Sequence, residues 1–245
     1  MLNAQTTGEA PQLSSSYAKY DDGVSVFNFY NNFAGITLNT NKWNNYGSSG
    51  VVDSITDIAV DNGLTLSAGT STYNTYIGST TQTLTTNTIM DMYWTPTTYS
   101  SGGSQIGYIS TLGDDLASVE SAGAQFYSNG YYIDSNNGAT SQSEFGGYSI
   151  QKYLSSISIS TTAVKGYLND YVLTGSVTTN LNTIPPSSPL YLEIAQYSST
   201  YNTLVTWVRT RSYPPNGVLP TIITTNTITD GFTASYNSIY INQTQ

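Results

Sequence analysis

The sequence predicts an all-β protein, a sandwich or a barrel. Short β-branched and aromatic runs recur along the chain, Gly, Asn, Asp and Ser separate them, and no segment sustains a helical period of about 3.6 residues. Many short strands spaced by such turns build sandwiches and barrels. With 245 residues, 38% of them hydrophobic, the chain can bury one large core.

Residues 1–19 are polar and Ser/Gln-rich and read as an extended arm. They lack the basic and apolar regions of a signal peptide, and no run in the chain is long and apolar enough to cross a membrane as a helix. From about residue 20 strand signals follow one another. Val24 to Tyr30 is β-branched and aromatic. Leu64 to Ser67 alternates behind Asp61-Asn62-Gly63, a tight-turn sequence. Thr88 to Trp94 alternates, with Met90, Met92 and Trp94 on one face and Ile89, Asp91 and Tyr93 on the other. Gln105 to Thr111, Ala124 to Asp134 and Tyr148 to Ser160 continue the series. Asn169-Asp170 tolerates left-handed backbone, so the flanking runs Val164 to Leu168 and Tyr171 to Thr174 form a hairpin. Leu190, Leu192 and Ile194 point one way, and Tyr191, Glu193 and Ala195 the other. Leu204 to Arg211 is a further strand carrying Trp207. One or two helical turns fit Asp114 to Ser121. Beyond Pro214-Pro215 the tail is strand-like at Thr221 to Thr225 and Ser238 to Ile241, where it adds strands or pairs with a neighbouring subunit.

Composition narrows the chemistry. Charged residues make up 9% of the chain, against about 25% in an ordinary domain. There is no His, hence no imidazole base or ligand, and no Cys, hence no thiolate or disulfide. The net charge of −9 argues against nucleic acid and anionic membrane, which need Lys/Arg patches. In acid the carboxylates would protonate with few salt bridges to lose. The balance therefore points to an exported protein that tolerates low pH. The sequon Asn242-Gln243-Thr244 is expected by chance in so Asn- and Thr-rich a chain.

Three segments carry a family resemblance. Tyr30-Asn31-Asn32-Phe33 leads to Leu38-Asn39-Thr40-Asn41-Lys42-Trp43; Asn62-Gly63-Leu64-Thr65-Leu66 follows; Val208-Arg209-Thr210-Arg211-Ser212-Tyr213-Pro214-Pro215 closes the set. In this order and spacing they resemble the concanavalin A-like lectin/glucanase superfamily, especially modules of archaeal and bacterial surface proteins. The Tyr167-Leu168-Asn169-Asp170 hairpin sits where such modules have a Tyr-x-Asn-Gly turn. The resemblance covers roughly residues 24–220. It implies a jelly-roll sandwich of two curved antiparallel sheets whose concave face often binds sugar.

Glucanases of this superfamily carry a Glu-x-Asp-x-x-Glu or Glu-x-Asp-x-Glu strand, with two carboxylates flanking the scissile bond. No such triplet occurs here. Asp21/Asp22 and Asp114/Asp115 are adjacent and cannot share one face of a strand. Asp91, Glu193 and Glu144 could meet only across strands, and Asp91 by itself reads as a solvated residue on an outward face. A Ser nucleophile has no His to activate it. No cofactor is expected; calcium stays open, since oxygen ligands suffice for it, at Gly113-Asp114-Asp115 or at Asp53 and Asp57. Aromatic rings are the stronger lead for sugar, with Tyr93, Tyr108, Phe126, Tyr131, Tyr132 and Tyr191 as rings that could line one face.

The expectation is therefore a non-catalytic extracellular module, not an enzyme, that binds carbohydrate or adheres to a surface through Asp91, Tyr93, Tyr108, Tyr131, Tyr191 and Glu193. The alternative is a structural subunit of a coat, filament or virion of an acidophile; a glucanase-like hydrolase ranks third. Expected partners are a glycan or neighbouring subunits joined through the termini. The expected organisation is an arm at 1–19, a sandwich at 20–220 and a strand-like extension at 221–245, on a cell surface, outside the cell or on a virion.

Overall fold

Strand β6, Thr88–Thr95, shows how alternation becomes a layer. Met90, Met92 and Trp94 are completely buried in the core, and the indole Nε1 of Trp94 donates to Ser155 Oγ at 2.8 Å, so the one polar atom of that face is satisfied. In this computed structural model the described residues are 27–46, 58–67, 75–96, 98–99, 102–127, 130–169, 172–197 and 202–212. The arm at 1–19, the extension at 221–245, the Asp53/Asp57 pair and Asp170 lie outside them.

Two antiparallel layers enclose the core. Sheet I runs β14 (Val172–Thr178), β13 (Ala163–Leu168), β12 (Tyr153–Ile159), β6, β16 (Thr203–Ser212), β4 (Leu64–Leu66) and β3 (Ile58–Val60), with β1 (Phe29–Asn31) also paired to β16. Sheet II runs β2 (Asn44–Tyr46), β5 (Thr75–Thr83), β15 (Tyr191–Tyr197), β8 (Gly102–Ile109) and β7 (Thr98–Tyr99). A three-stranded sheet of β11 (Thr140–Gly147), β10 (Gly130–Asn136) and β9 (Ser121–Tyr127) continues it, because β9 lies alongside β8 and Ser110 N–H donates to the Glu120 carbonyl at 2.9 Å. Phe126 and Tyr131 face inward from this extension and pack their rings 4.8 Å apart between the layers. The architecture is the jelly-roll sandwich that the strand pattern and the resemblance predict.

Several elements differ from expectation. Residues 114–121 are turns and the first residue of β9, and none of the described residues forms a helix. Ala124 to Asp134 is two strands, and Tyr148 to Ser160 contributes only β12. Strands β5 and β11 are Thr-, Ser-, Gln- and Gly-rich, so they lack the hydrophobic signal that marks the others.

Asp91 corrects the sequence reading most sharply. It is on the face of sheet I away from the core, yet it is wholly buried. Register explains this: Arg209 on β16 and Ser156 on β12 lie directly opposite it. Arg209 Nε and Arg211 Nε both approach Asp91 Oδ2 at 2.9 Å, and Ser156 Oγ donates to Oδ1 at 2.6 Å. Burial pushes the Asp91 carboxyl up, but the charges of Arg211 and Arg209 and the bonds from Arg211 and Ser156 outweigh it and hold the group below 3.8. The site is a structural ion triad. Replacing Arg211 by Gln leaves Arg209 in place and should cost about 1.5–3 kcal/mol, read as a lower urea midpoint at unchanged m-value.

Candidate functional site

Alternation gives sheet II an outer face, turned away from the core. Register places one row across it: Gly78 opposite Glu193, Glu193 opposite Gly107, then Gly123 opposite Asp134, and Asp134 opposite Gln142. Three glycines in one row leave a trough, and residues 110–120 fill it as a strap. A Cβ on Gly78 would lie 2.4 Å from Leu112 Cδ2, and one on Gly107 would lie 2.7 Å from Leu116 Cδ2. The strap is pinned from below. Gln105 Nε2 donates to the Asp114 carbonyl at 3.0 Å and to Glu193 Oε1 at 2.8 Å, and Gln105 Oε1 accepts from Leu116 N–H at 3.1 Å. Gly113 N–H donates to Glu193 Oε2 at 2.6 Å, and Asn136 Nδ2 donates to the Ala117 carbonyl at 2.8 Å.

Glu193 is therefore committed to the strap. Burial pushes its carboxyl well above 4.5, and the bonds from Gly113 and Gln105 offset only part of that. Gly123 is where strap, β8 and β9 meet most closely: an added Cβ would lie 2.4 Å from the Ile106 carbonyl oxygen and 2.7 Å from Gly107 Cα. Backbone cannot yield as a side chain can. Gly123→Ala should cost about 1–3 kcal/mol, measured as a lowered Tm.

Beside the strap the face is open across β9, β10 and β11. Tyr127 is 39% exposed, and its ring meets that of half-buried Tyr132 edge-on, with centroids 6.4 Å apart. Gln142 and Glu144 are exposed on β11. Between them and the strap lies Asp134, wholly buried, with Oδ2 accepting from Gln125 Nε2 at 3.1 Å and Oδ1 from Gln142 Nε2 at 2.6 Å. Burial raises the Asp134 carboxyl to about 7; the two amide bonds lower it in part, and the charge of Asp115 on the strap raises it further. Glu144 faces Tyr132 directly and Asp134 diagonally. Diagonal neighbours have Cα atoms about 7–8 Å apart. Glu144 leans over Gly130, where a Cβ would come within 2.7 Å of its Oε1, and it accepts a hydrogen bond from Tyr132.

The six residues expected to bind sugar do not converge. Asp91 and Tyr93 belong to sheet I. Tyr108 and Tyr131 are 0% exposed in the core, and Phe126 is there too. Tyr191 and Glu193 do share the outer face of sheet II, where Tyr191 packs in a cluster with Leu112 and Val119 of the strap and Glu193 lies beneath it. Asp114 and Asp115 cap the strap's own turns, with Asp115 accepting from Ala117 N–H at 2.9 Å and from Ser118 Oγ at 2.8 Å. Among the described residues no group of three or more acidic side chains is placed to hold a metal. Sequence reasoning missed Asp134 because it took Ala124 to Asp134 as one strand. An unbroken strand would put Asp134 on the face of Phe126; ending β9 at Tyr127 and starting β10 at Gly130 reverses that parity.

No family model matches the sequence, and neither does any curated protein. Solved structures do share the fold. The endo-β-1,3-glucanase from Pyrococcus furiosus is 10% identical, with a TM-score of 0.59 over 76% of this chain and 94% of that one. The laminarinase from Rhodothermus marinus is 11% identical, with a TM-score of 0.58 over 76% and 96%. The Bacillus licheniformis β-glucanase is 14% identical, with a TM-score of 0.58 over 75% and 97%. At such identities the likeness shows the fold alone, the jelly-roll sandwich that these enzymes share with this chain. The comparison counts against the expected non-catalytic module and against the expectation that the chain is not an enzyme: these three neighbours are glycan-cleaving enzymes.

Proposed function

We propose that the chain is a glycoside hydrolase that works on the open flank of sheet II, with Asp134 as proton donor and Glu144 as the opposing carboxylate. The observation that carries this is one buried carboxyl, raised to about 7, set diagonally from an exposed one on the same face. Environments that push two carboxyls apart are what acid–base cleavage of a glycosidic bond requires. Asp134 keeps its proton up to near neutrality and, once substrate displaces the exposed Gln142 side chain that covers it, gives the proton to the glycosidic oxygen as the bond to the anomeric carbon breaks. Glu144 takes a proton from the water that adds to that carbon. Inverting enzymes separate the two carboxyls by roughly 6.5–9.5 Å to admit that water. Asp115 is spent on its own turn; its charge helps Asp134 stay protonated. The rings of Tyr127 and Tyr132 offer apolar surface to a sugar, and the amides of Gln125 and Gln142 orient the acid.

The enzymes that share the fold are named for β-glucan and laminarin, which makes these the first substrates to test. The expected result is release of reducing ends below pH 7 from at least one of them. A folded protein that releases none from β-glucan or laminarin overturns the proposal.

A further inference from the structure

At the end of β11 a cleft of about 470 Å³ opens, lined among others by Tyr148, Gln151, Tyr153, Leu168, Asn169 and Thr174. Its size is within the range of small-molecule sites, about 300–1,000 Å³. Every residue that lines it is uncharged. A phosphate, a carboxylate or a metal ion would find no counter-charge there, whereas a neutral ligand rich in hydroxyls would find rings, amides and hydroxyls together.

The lining is also held in place. Tyr148 is half-buried, with ring centroids 5.7 Å from Phe126, 5.7 Å from Tyr131 and 6.0 Å from Tyr153, all edge-on. Tyr153 Oη accepts from Gln151 Nε2 at 2.8 Å and donates to the Ser149 carbonyl at 3.2 Å. Asn169 has a left-handed φ of 40°, and its Oδ1 accepts from Leu154 N–H at 3.3 Å, which turns the amide nitrogen the other way. Rings and amides fixed before the ligand arrives reduce the ordering cost of binding.

We infer that this cleft is a second glycan site, which seats one pyranose unit without cleaving it. No carboxylate lines it, so it cannot supply acid–base chemistry. Gly147, on its wall, is three residues beyond Glu144 on β11, about 10 Å along the strand. One glycan chain can therefore touch both places. The inference does not depend on hydrolysis at Asp134.

The test uses the full chain carrying Asp134→Asn, so that little of any cleavable probe is consumed, with laminaritriose, N-acetylglucosamine and mannose as probes at millimolar concentration. The side-chain amide resonances of Gln151 and Asn169 should shift with at least one probe. Thr174→Trp, which fills the cleft, should weaken that binding by about tenfold or more, and Gln151→Ala, at an exposed position, by a smaller factor. Absence of any shift with all three probes overturns the inference. So does a shift that survives both substitutions unchanged. Loss of hydrolysis in the parent chain with these shifts intact would count against Asp134 alone.

Discussion

If Asp134 is the proton donor we propose, Asp134→Asn should lower glycan hydrolysis by about 10²–10⁴-fold, the usual worth of a positioned general acid, and leave the fold intact. The amide is the same size as the acid and can still accept from Gln142, so the pocket keeps its shape. What it lacks is the proton. The measurement is kcat for reducing-end release at a pH below 7, beside the Tm of both proteins. Glu144→Gln should fall by a similar factor, because no carboxylate then takes the proton from water. Asp115→Asn should behave differently. Its charge helps to raise Asp134, so its removal moves the alkaline limb of the pH–rate profile to lower pH without abolishing the rate. An Asp134→Asn protein with the parent rate would show that the acid lies elsewhere.

Stability should rise as the pH falls from about 7 to about 4. In the unfolded chain Asp134 loses its proton near 3.8; in the folded protein it keeps it to about 7. Between those values the unfolded state is the one that has released the proton, so each step up in pH favours unfolding. Moving a carboxyl from 3.8 to about 7 is worth about 4 kcal/mol, present as stability at the acid end and lost at the neutral end. Glu193, raised well above 4.5 beneath the strap, acts in the same direction. Asp91 acts in the other. Its folded carboxyl ionises below 3.8, so the triad with Arg209 and Arg211 stabilises the fold above that value and is lost as the pH falls through its folded pKa. A stability maximum between the two windows follows, with a higher urea midpoint at about pH 4.5 than at about pH 7.5. Asp134→Asn should flatten that difference. A midpoint that climbs steadily to neutral pH would contradict the assignment of both buried acids, and would count against the expectation from composition that the protein tolerates low pH.

The strands that alternate strongly were legible in the chain. Met90, Met92 and Trp94 occupy the core face that their spacing implies, and Asp61-Asn62-Gly63 makes the turn between β3 and β4, with Asn62 at a φ of 45°. Strands β5 and β11 were not legible, because register against neighbours holds polar strands that carry no hydrophobic period. The site suffered most. Tyr108 and Tyr131 have the chemistry of a sugar platform and are packed inside the core, while Gln125, Asp134 and Gln142, unremarkable in the sequence, form the only buried-acid clamp on the open flank among the described residues.

Composition and periodicity alone determined that this is an all-β protein, poor in charge, without imidazole or thiol chemistry. Those properties are local or additive, so a linear reading contains them. Which carboxyl is buried beside which was decided only in three dimensions. A single change of parity between β9 and β10 turns Asp134 outward, and a single register opposes Arg209 to Asp91. The pKa of an acid depends on the solvent and charge around it, and that surrounding comes from residues far away along the chain.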